Sequence, residues 1–434
     1  MNGILRDHDV RIMFFTHYYP PEVNAPASRT AEHARVWARS GHDVVVVTCA
    51  PNHPEGRVYP GHRNALYQSE TVDGVRVVRV WTCIAANEGV MLRTINYLSY
   101  AASASLAMFW LGRPDVVVTT SPQFFCVLIG LVAQTFKRTP WVLEIRDLWP
   151  ESIVAVGAIR KGVVVRCLEW LERIAYRRAD RIVSVTDSFV SHISSRCGTP
   201  EKISVIKNGA DLTRFTPSEG ASDVKRRLGL QNCFVAAYVG THGMAHGLET
   251  VLDAAEILRD RPQIAFLLVG DGAARRHLQK IRDEKQLSNV VMLGQQPKEA
   301  MPGVWEAIDA SLIVLRRDDL FRTVLPSKMF EAMAMRRPII LGVEGEACTL
   351  LEEAGAGVAI TPESAEELAA AVMRLSQDRE LAKRLGAAGY AHVRRHFDRA
   401  ELAAKYIDVL NDAIATARPG ARRRHVALER IADR

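Results

Sequence analysis

Thirteen short apolar runs, most of them rich in Val and Ile, alternate with longer helix-patterned stretches from Arg11 to Ile360. In the first half the runs are Arg11–Thr16, Asp43–Thr48, Val75–Val80, Asp115–Thr120, Trp141–Arg146, Arg181–Thr186 and Ile203–Ile206. In the second they are Val235–Val239, Ile264–Val269, Val290–Leu293, Ala310–Leu315, Pro338–Leu341 and Val358–Ile360. A strand with one face in water alternates apolar and polar residues. Continuous runs separated by helices instead mean parallel strands covered on both faces. A single sheet of so many strands would be unusual, so the pattern predicts two doubly wound α/β domains. The turn-rich passage Lys207-Asn208-Gly209-Ala210-Asp211 through Phe215-Thr216-Pro217 predicts the join. The expected division is 1–207, then 208–397, then 398–417 as a helix crossing back to the first domain. Residues 418–434, with Arg422-Arg423-Arg424, read as a loose, solvated basic tail.

The chain has 434 residues, 48% hydrophobic and 24% charged, which leaves room for two cores of average size. Its seven cysteines contain no C-x-x-C pair, so neither a zinc site nor a disulfide framework is indicated, and reduced cytoplasm is the expected setting. Met1–Val10 is polar and charged and leads straight into a strand, unlike a secretory signal. The least polar stretches, Tyr97–Leu111 and Phe124–Phe136, fall short of the roughly 18 apolar residues of a spanning helix. They read as core or interfacial helices. The net charge of +7 is carried by residues 1–210 and by the C-terminal tail, and such asymmetry suits anionic lipid headgroups or an anionic acceptor. Nucleic acid is not an expected partner, for want of a basic aromatic strand, a zinc finger or a helix-turn-helix.

The run Ala310–Leu315 leads through a loop into Leu325-Pro326-Ser327-Lys328-Met329-Phe330-Glu331-Ala332-Met333-Ala334. Pro326 and Ser327 mark a helix start, with Ser327 as the cap, although Phe330 stands where a capping box would place Glu or Gln. A lysine in a first turn opposes the helix dipole, so Lys328 is better explained by a bound anion than by helix stability. Glu331 lies on the same face one turn on, where a carboxylate could hold two vicinal hydroxyls of a ribose. Ammonium, amides and carboxylate together outline a site for a sugar nucleotide. Three further loops follow strands: Gly240-Thr241-His242-Gly243 with His246-Gly247, Gly270-Asp271-Gly272, and Glu144 through Ser152. Each alone is a plain strand-to-helix turn; their joint occurrence at equivalent strand ends predicts a site. A dinucleotide oxidoreductase or a P-loop protein would want glycines after the first strand, and Thr16-His17-Tyr18-Tyr19-Pro20-Pro21-Glu22 has none. Asp318-Asp319 is an adjacent pair rather than a spaced metal pair, and reads as a solvated loop.

The order of these motifs resembles glycosyltransferase family 4 over residues 11–416. It runs from Pro20-Pro21-Glu22 and Ala25–Arg29 through Asn208-Gly209-Ala210-Asp211 to Pro326–Ala334 with Arg337-Pro338. Arg146 through Ser152 and Gly240–Gly243 further resemble a bacterial O-antigen, capsule and exopolysaccharide branch that includes N-acetyl-fucosamine transferases. The resemblance implies the GT-B fold, two Rossmann-like domains facing across a cleft, and sugar transfer with retention of configuration, without metal or cofactor. The implied donor is a nucleotide diphosphate sugar, UDP-linked, carrying for example an N-acetylated 6-deoxy hexosamine. The implied acceptor is a polyprenyl-diphosphate-linked saccharide met by peripheral contact at the inner membrane face. Asp147 and Glu331 become the catalytic candidates. Gly240, Thr241, His242, His246, Gly270, Asp271, Leu325, Pro326, Ser327, Lys328 and Glu331 form the expected donor set, with Glu22, Arg146 and Asp147 on the acceptor side.

Departures from the family pattern qualify this. Thr323 occupies the position eight before Glu331 that usually carries a second glutamate. Thr241 and His246 stand where Arg and Lys are usual, leaving Lys328, with His246 or Arg322, to neutralise a diphosphate leaving group. Asp147 replaces a histidine, and its structural alternative is to cap the helix that Pro150 opens. Two other functions use the same ligand: a non-hydrolysing sugar-nucleotide epimerase, and an inactive nucleotide-sugar binding subunit.

Overall fold

Val- and Ile-rich runs that bury both faces become the inner strands of two sheets. The computed structural model describes residues 9–53, 56–84, 90–121, 123–155, 159, 162–218 and 222–417. The basic tail 418–434 lies outside the described residues. Of the described residues, those from 9 to 207 together with 400–417 form one compact unit, and those between Asn208 and Arg399 form the second.

The first sheet comprises β1 (Arg11–Phe15), β2 (Asp43–Cys49), β3 (Tyr67–Val72), β4 (Val75–Val80), β5 (Val116–Thr120), β6 (Trp141–Ile145), β7 (Arg181–Ser184) and β8 (Ile203–Val205), in the order β3-β4-β2-β1-β5-β6-β7-β8. All neighbours are parallel except β3 and β4. Strand β3 was not anticipated, because its sequence Tyr-Gln-Ser-Glu-Thr-Val is polar and mostly exposed. A different signal announces it. Asp73 and Gly74, at φ 50 and 82, form the two-residue turn whose Asp-Gly composition favours a tight hairpin.

Helices Val90–Trp110, Cys126–Val132, Val163–Arg178 and Ser188–Cys197 cover one face of this sheet. Ala25–Arg39 and the C-terminal helix Arg399–Ala417 cover the other. Trp37 Nε1 donates to the Ala403 carbonyl at 2.9 Å, and the Tyr406 ring meets Trp37 edge-on, so the last helix is a working part of this core. The stretch Phe124–Phe136 is mainly core: Val127, Ile129 and Ala133 are buried, in a helix that ends in a π turn over Ala133–Lys137. All of Tyr97–Leu111 but its last residue lies in Val90–Trp110, whose two sides differ; Tyr100, Ala104 and Met108 enter the core while Leu98, Leu106 and Phe109 face solvent.

The second sheet comprises β9 (Phe234–Val239), β10 (Ile264–Val269), β11 (Val290–Leu293), β12 (Ala310–Val314), β13 (Ile339–Gly342) and β14 (Gly357–Ala359), all parallel, in the order β11-β10-β9-β12-β13-β14. Strand order reverses between β9 and β12. A crevice at such a switch point, beyond the carboxyl ends, is where doubly wound sheets bind ligands. The corresponding point of the first sheet lies between β1 and β5.

Candidate functional site

In the second unit the loops after β9 and β10 are knitted together by backbone. Gly240 N donates to Val269 O at 2.9 Å, His242 N to Asp271 O at 2.8 Å, and Ala274 N to His242 O at 2.9 Å. Gly240 and Gly270 hold φ of 140 and 143, and a Cβ on Gly270 would fall on the Gly240 carbonyl. A Cβ on Gly272, at φ 150, would stand 2.6 Å from the His242 oxygen. These glycines are therefore required by close backbone approach, not merely by a turn.

Lys328 opens the helix Lys328–Ala334 after β12. Ser327 occupies the cap position, but its φ of −59 and ψ of −28 are helical and its side chain makes no capping bond, so the expected serine cap is not formed. The Lys328 side chain instead places Nζ over the Tyr238 ring, 3.6 Å from the centroid, a cation–π contact. Nζ is sealed from solvent and has no hydrogen-bond partner. Burial pulls this ammonium down to about 7, with Glu331 acting in the opposite direction. Both ring nitrogens of buried His242 also lack partners. Burial, and then the charge of Arg275, hold that imidazole down to about 4, so it is neutral at pH 7.

The replacement cations expected from sequence need correction. His246 is driven down to about 3 by burial and by the Lys328 charge, and carries no charge at neutral pH. Arg322 is exposed and lies near carboxylates, 3.7 Å from Asp319 and 4.0 Å from Glu344. Arg275, which the sequence reading missed, is the fixed guanidinium beside His242. Its Nη1 donates to the Gly270 carbonyl and, at 2.7 Å, to that of Leu293. Tyr238 was missed too; its hydroxyl donates to Thr241 O at 2.8 Å and its ring seats the ammonium. The available signal was a lone aromatic two residues before Gly240.

Glu331, one turn after Lys328, accepts from Trp305 Nε1 at 3.2 Å. Thr323, at the position of the usual second glutamate, gives its hydroxyl to Leu320 O at 2.7 Å within its own turn. Asp271 is exposed and accepts from the amide of Gly272 at 2.7 Å. Leu325 is buried, while Pro326 is half-buried and Thr241 exposed.

The first unit arranges its strand ends differently. Glu22 is buried and takes amides from Asn52 and His53, both at 2.9 Å, and from Tyr19 at 3.3 Å. Burial pushes its carboxyl up and these amides oppose the shift; the side chain staples loops. Glu144, in β6, forms a buried ion pair with Arg29 Nε at 3.2 Å, and Arg29 also donates to the Ile206 and Lys207 carbonyls. That pairing explains the arginine at the end of Ala25–Arg29. Burial alone would raise the Glu144 carboxyl, but Arg29 and Arg146 outweigh it and hold it below the usual range.

Asp147 follows β6. The Ser121 hydroxyl accepts the amides of Arg146 at 2.7 Å and Asp147 at 3.3 Å, and so fixes the strand end. Arg146 Nη1 donates to Pro26 O at 3.4 Å. Asp147 is half-buried, and enough protein surrounds its carboxyl that burial pushes it up to about 6, against the pull of Arg146. Among the described residues no donor bonds that carboxylate, and the bond from Trp149 N goes to its backbone oxygen. The capping alternative for Asp147 therefore has no bond to support it.

Residues 24–209 match the family model of the glycosyl transferase 4-like domain, and residues 223–392 match that of glycosyl transferases group 1. The chain belongs to glycosyltransferase family 4, with the GT-B fold. This transferase is 25% identical over 381 residues to the putative colanic acid biosynthesis glycosyl transferase WcaI of Escherichia coli K12, covering 84% of this chain and 91% of that one. It is 28% identical to the probable glycosyltransferase WbjE of Pseudomonas aeruginosa, over 56% of this chain and 62% of that one. Its fold matches HepE of Anabaena, solved in complex with UDP, with TM-score 0.70 and 16% identity, covering 93% of the transferase and 100% of HepE.

Proposed function

We propose that the transferase moves a sugar from a UDP-linked donor to a hydroxyl of a polyprenyl-diphosphate-linked saccharide during bacterial O-antigen, capsule or exopolysaccharide synthesis. The names of WcaI and WbjE and the UDP bound to HepE support that reading. One observation carries it. Lys328 Nζ and both nitrogens of His242 are buried without partners, on loops and a helix that meet at the switch point of the second sheet. Unpaired buried polar atoms cost about 1–3 kcal/mol each, more for charged ones, and a diphosphate would satisfy them.

In this scheme the ammonium of Lys328 meets the diphosphate and stabilises charge as the leaving group departs. A bound anion would also keep Lys328 protonated. Arg275 and the neutral His242 orient the phosphates, and Glu331 holds the ribose. Transfer proceeds with retention of anomeric configuration. Asp147, in the first unit, faces the acceptor hydroxyl as base or orienting group, with Glu22 and Arg146 shaping the same side. The acceptor's lipid carrier keeps the enzyme in peripheral contact with the membrane.

The test is Lys328→Met, read by thermal unfolding with and without UDP. Methionine fills the space without an unpaired charge, so the free protein should melt higher than the wild type. The UDP-induced rise in melting temperature, a mass-action effect, should shrink by the loss of about 2 kcal/mol of binding. A full UDP response in this variant would remove Lys328 from the donor site.

A further inference from the structure

Helices Val90–Trp110, Cys126–Val132 and Val163–Arg178 pack on the same face of the first sheet, so their outward sides belong to one surface. On the first of them Met91, Ile95, Leu98, Leu106, Phe109 and Trp110 are exposed. They recur at helical spacing, opposite the stripe that enters the core. Leu106 is 58% exposed and Trp110 78%. The surface continues past this helix, because the Phe109 ring meets exposed Phe136 edge-on at 6.4 Å, and Trp170 on Val163–Arg178 is also exposed. The stripe and Phe136 make a contiguous apolar face, with Trp170 exposed on a helix of the same side, and such a face marks an interaction site rather than ordinary scatter of surface hydrophobics.

Charge says what covers it. Val90–Trp110 contains no acidic residue, and the exposed Arg113 and Arg138 lie just beyond the apolar stripe and the π turn. Arg166 and Arg177 are exposed on Val163–Arg178, where Glu169 is 3.9 Å from Arg173. A second copy docking by the same patch would set arginines against arginines. No helix among the described residues is long and apolar enough to cross a membrane, so a helix binding lipid here would lie along it. We propose that this face lies on an anionic phospholipid bilayer, with the stripe and its Trp and Phe side chains at the acyl–headgroup boundary and the arginines on lipid phosphates. The inference deepens the lipid-linked reading above by naming the surface that would bring the enzyme to its acceptor, and it rests on different residues from the donor site.

The full chain is tested by flotation with vesicles of mixed phosphatidylcholine and phosphatidylglycerol, against phosphatidylcholine alone. Wild type should float with the anionic vesicles at low salt and keep part of that binding at high salt. The triple variant Leu106→Glu, Phe109→Glu, Trp110→Glu should lose at least roughly tenfold in vesicle affinity, since it removes apolar insertion and adds repulsion. Arg113→Glu with Arg138→Glu should lose most of the preference for the anionic lipid. These side chains are exposed, and an unchanged melting temperature with an unchanged UDP response would show that each variant is folded and its donor site intact. Absence of wild-type flotation, or equal flotation of wild type and the triple variant, would overturn the proposal. So would a wild-type dimer in light scattering that the triple variant dissociates while neither floats. A UDP response that survives failed flotation leaves the transfer reading standing; flotation without any UDP response would sink the donor assignment alone.

Discussion

At the carboxyl ends of β9, β10 and β12 the chain buries an ammonium and an imidazole with nothing to bond, whereas around the ends of β1, β5 and β6 it buries two carboxylates and satisfies both. Glu22 is held by three backbone amides and Glu144 by Arg29, so neither waits for a ligand. Asp147 differs from both, half-buried, with no bonded donor among the described residues and a carboxyl raised to about 6. The same kind of sheet therefore carries two kinds of site. One leaves a buried ammonium and a neutral imidazole unpaired, at a cost to the free protein that the proposed diphosphate would relieve. The other pairs Glu22 and Glu144 within its architecture and leaves Asp147 without a bonded donor among the described residues, its carboxyl raised to about 6, the property expected of a group that handles protons.

The largest test of this contrast is Asp147→Asn. If the first unit supplies the proton-handling group, turnover should fall by about 10²–10⁴-fold while UDP affinity stays unchanged. In the wild type, activity limited by ionised Asp147 should rise with pH up to about 6, and the variant should lose that limb. The sign for stability is opposite. A carboxyl whose value is raised from 3.8 to about 6 binds protons more tightly in the folded state, so its contribution weakens as pH rises through that window. Wild-type turnover in the variant, measured on a lipid-linked acceptor, would collapse the distinction.

The second test is Gly270→Ala, which adds a Cβ against the Gly240 carbonyl at φ 143 and should cost about 3 kcal/mol in denaturant unfolding. Its reference is Gly198→Ala in the first unit, where φ is 73 and nothing lies within 4 Å, so only the left-handed conformation is penalised, at about 1 kcal/mol. Equal costs would show that the loops after β9 and β10 are not held by their mutual contact. Next in size, Glu331→Ala should weaken UDP binding in calorimetry by about 1.5–3 kcal/mol through lost ribose bonds. Unchanged affinity in a folded variant would free Glu331 from that role.

The smallest effect concerns pH in the second unit. Lys328 loses its proton at about 7 in the folded protein, against 10.5 for an ordinary lysine. Between those values the unfolded chain binds more protons, so this group makes the free protein more stable as pH rises. A diphosphate favours the ammonium, so UDP affinity should move the other way, falling by up to about tenfold per pH unit above 7. Titration calorimetry at several pH values reads the trend, and its persistence in Lys328→Met would assign it to another group.

The sequence by itself determined the parallel strands of both sheets, because buried strands must be continuously apolar and helices must separate them. It also determined that Lys328 needs an explanation other than helix stability, since a first-turn lysine works against the dipole. The Asp73-Gly74 hairpin was legible too, but only to a reading that gave turn chemistry the same weight as apolar runs. Tertiary structure decided the rest. Whether His246 is a cation, whether Ser327 caps, and whether Glu22 is free for an acceptor depend on burial and on which amides arrive from loops distant in sequence. Arg275 beside His242, the Tyr238 ring under the ammonium, and the separation of Val90–Trp110 into a core side and an exposed side were likewise set by packing. Local sequence specifies backbone preference and periodicity; the protonation and pairing of a buried group belong to its neighbours in space.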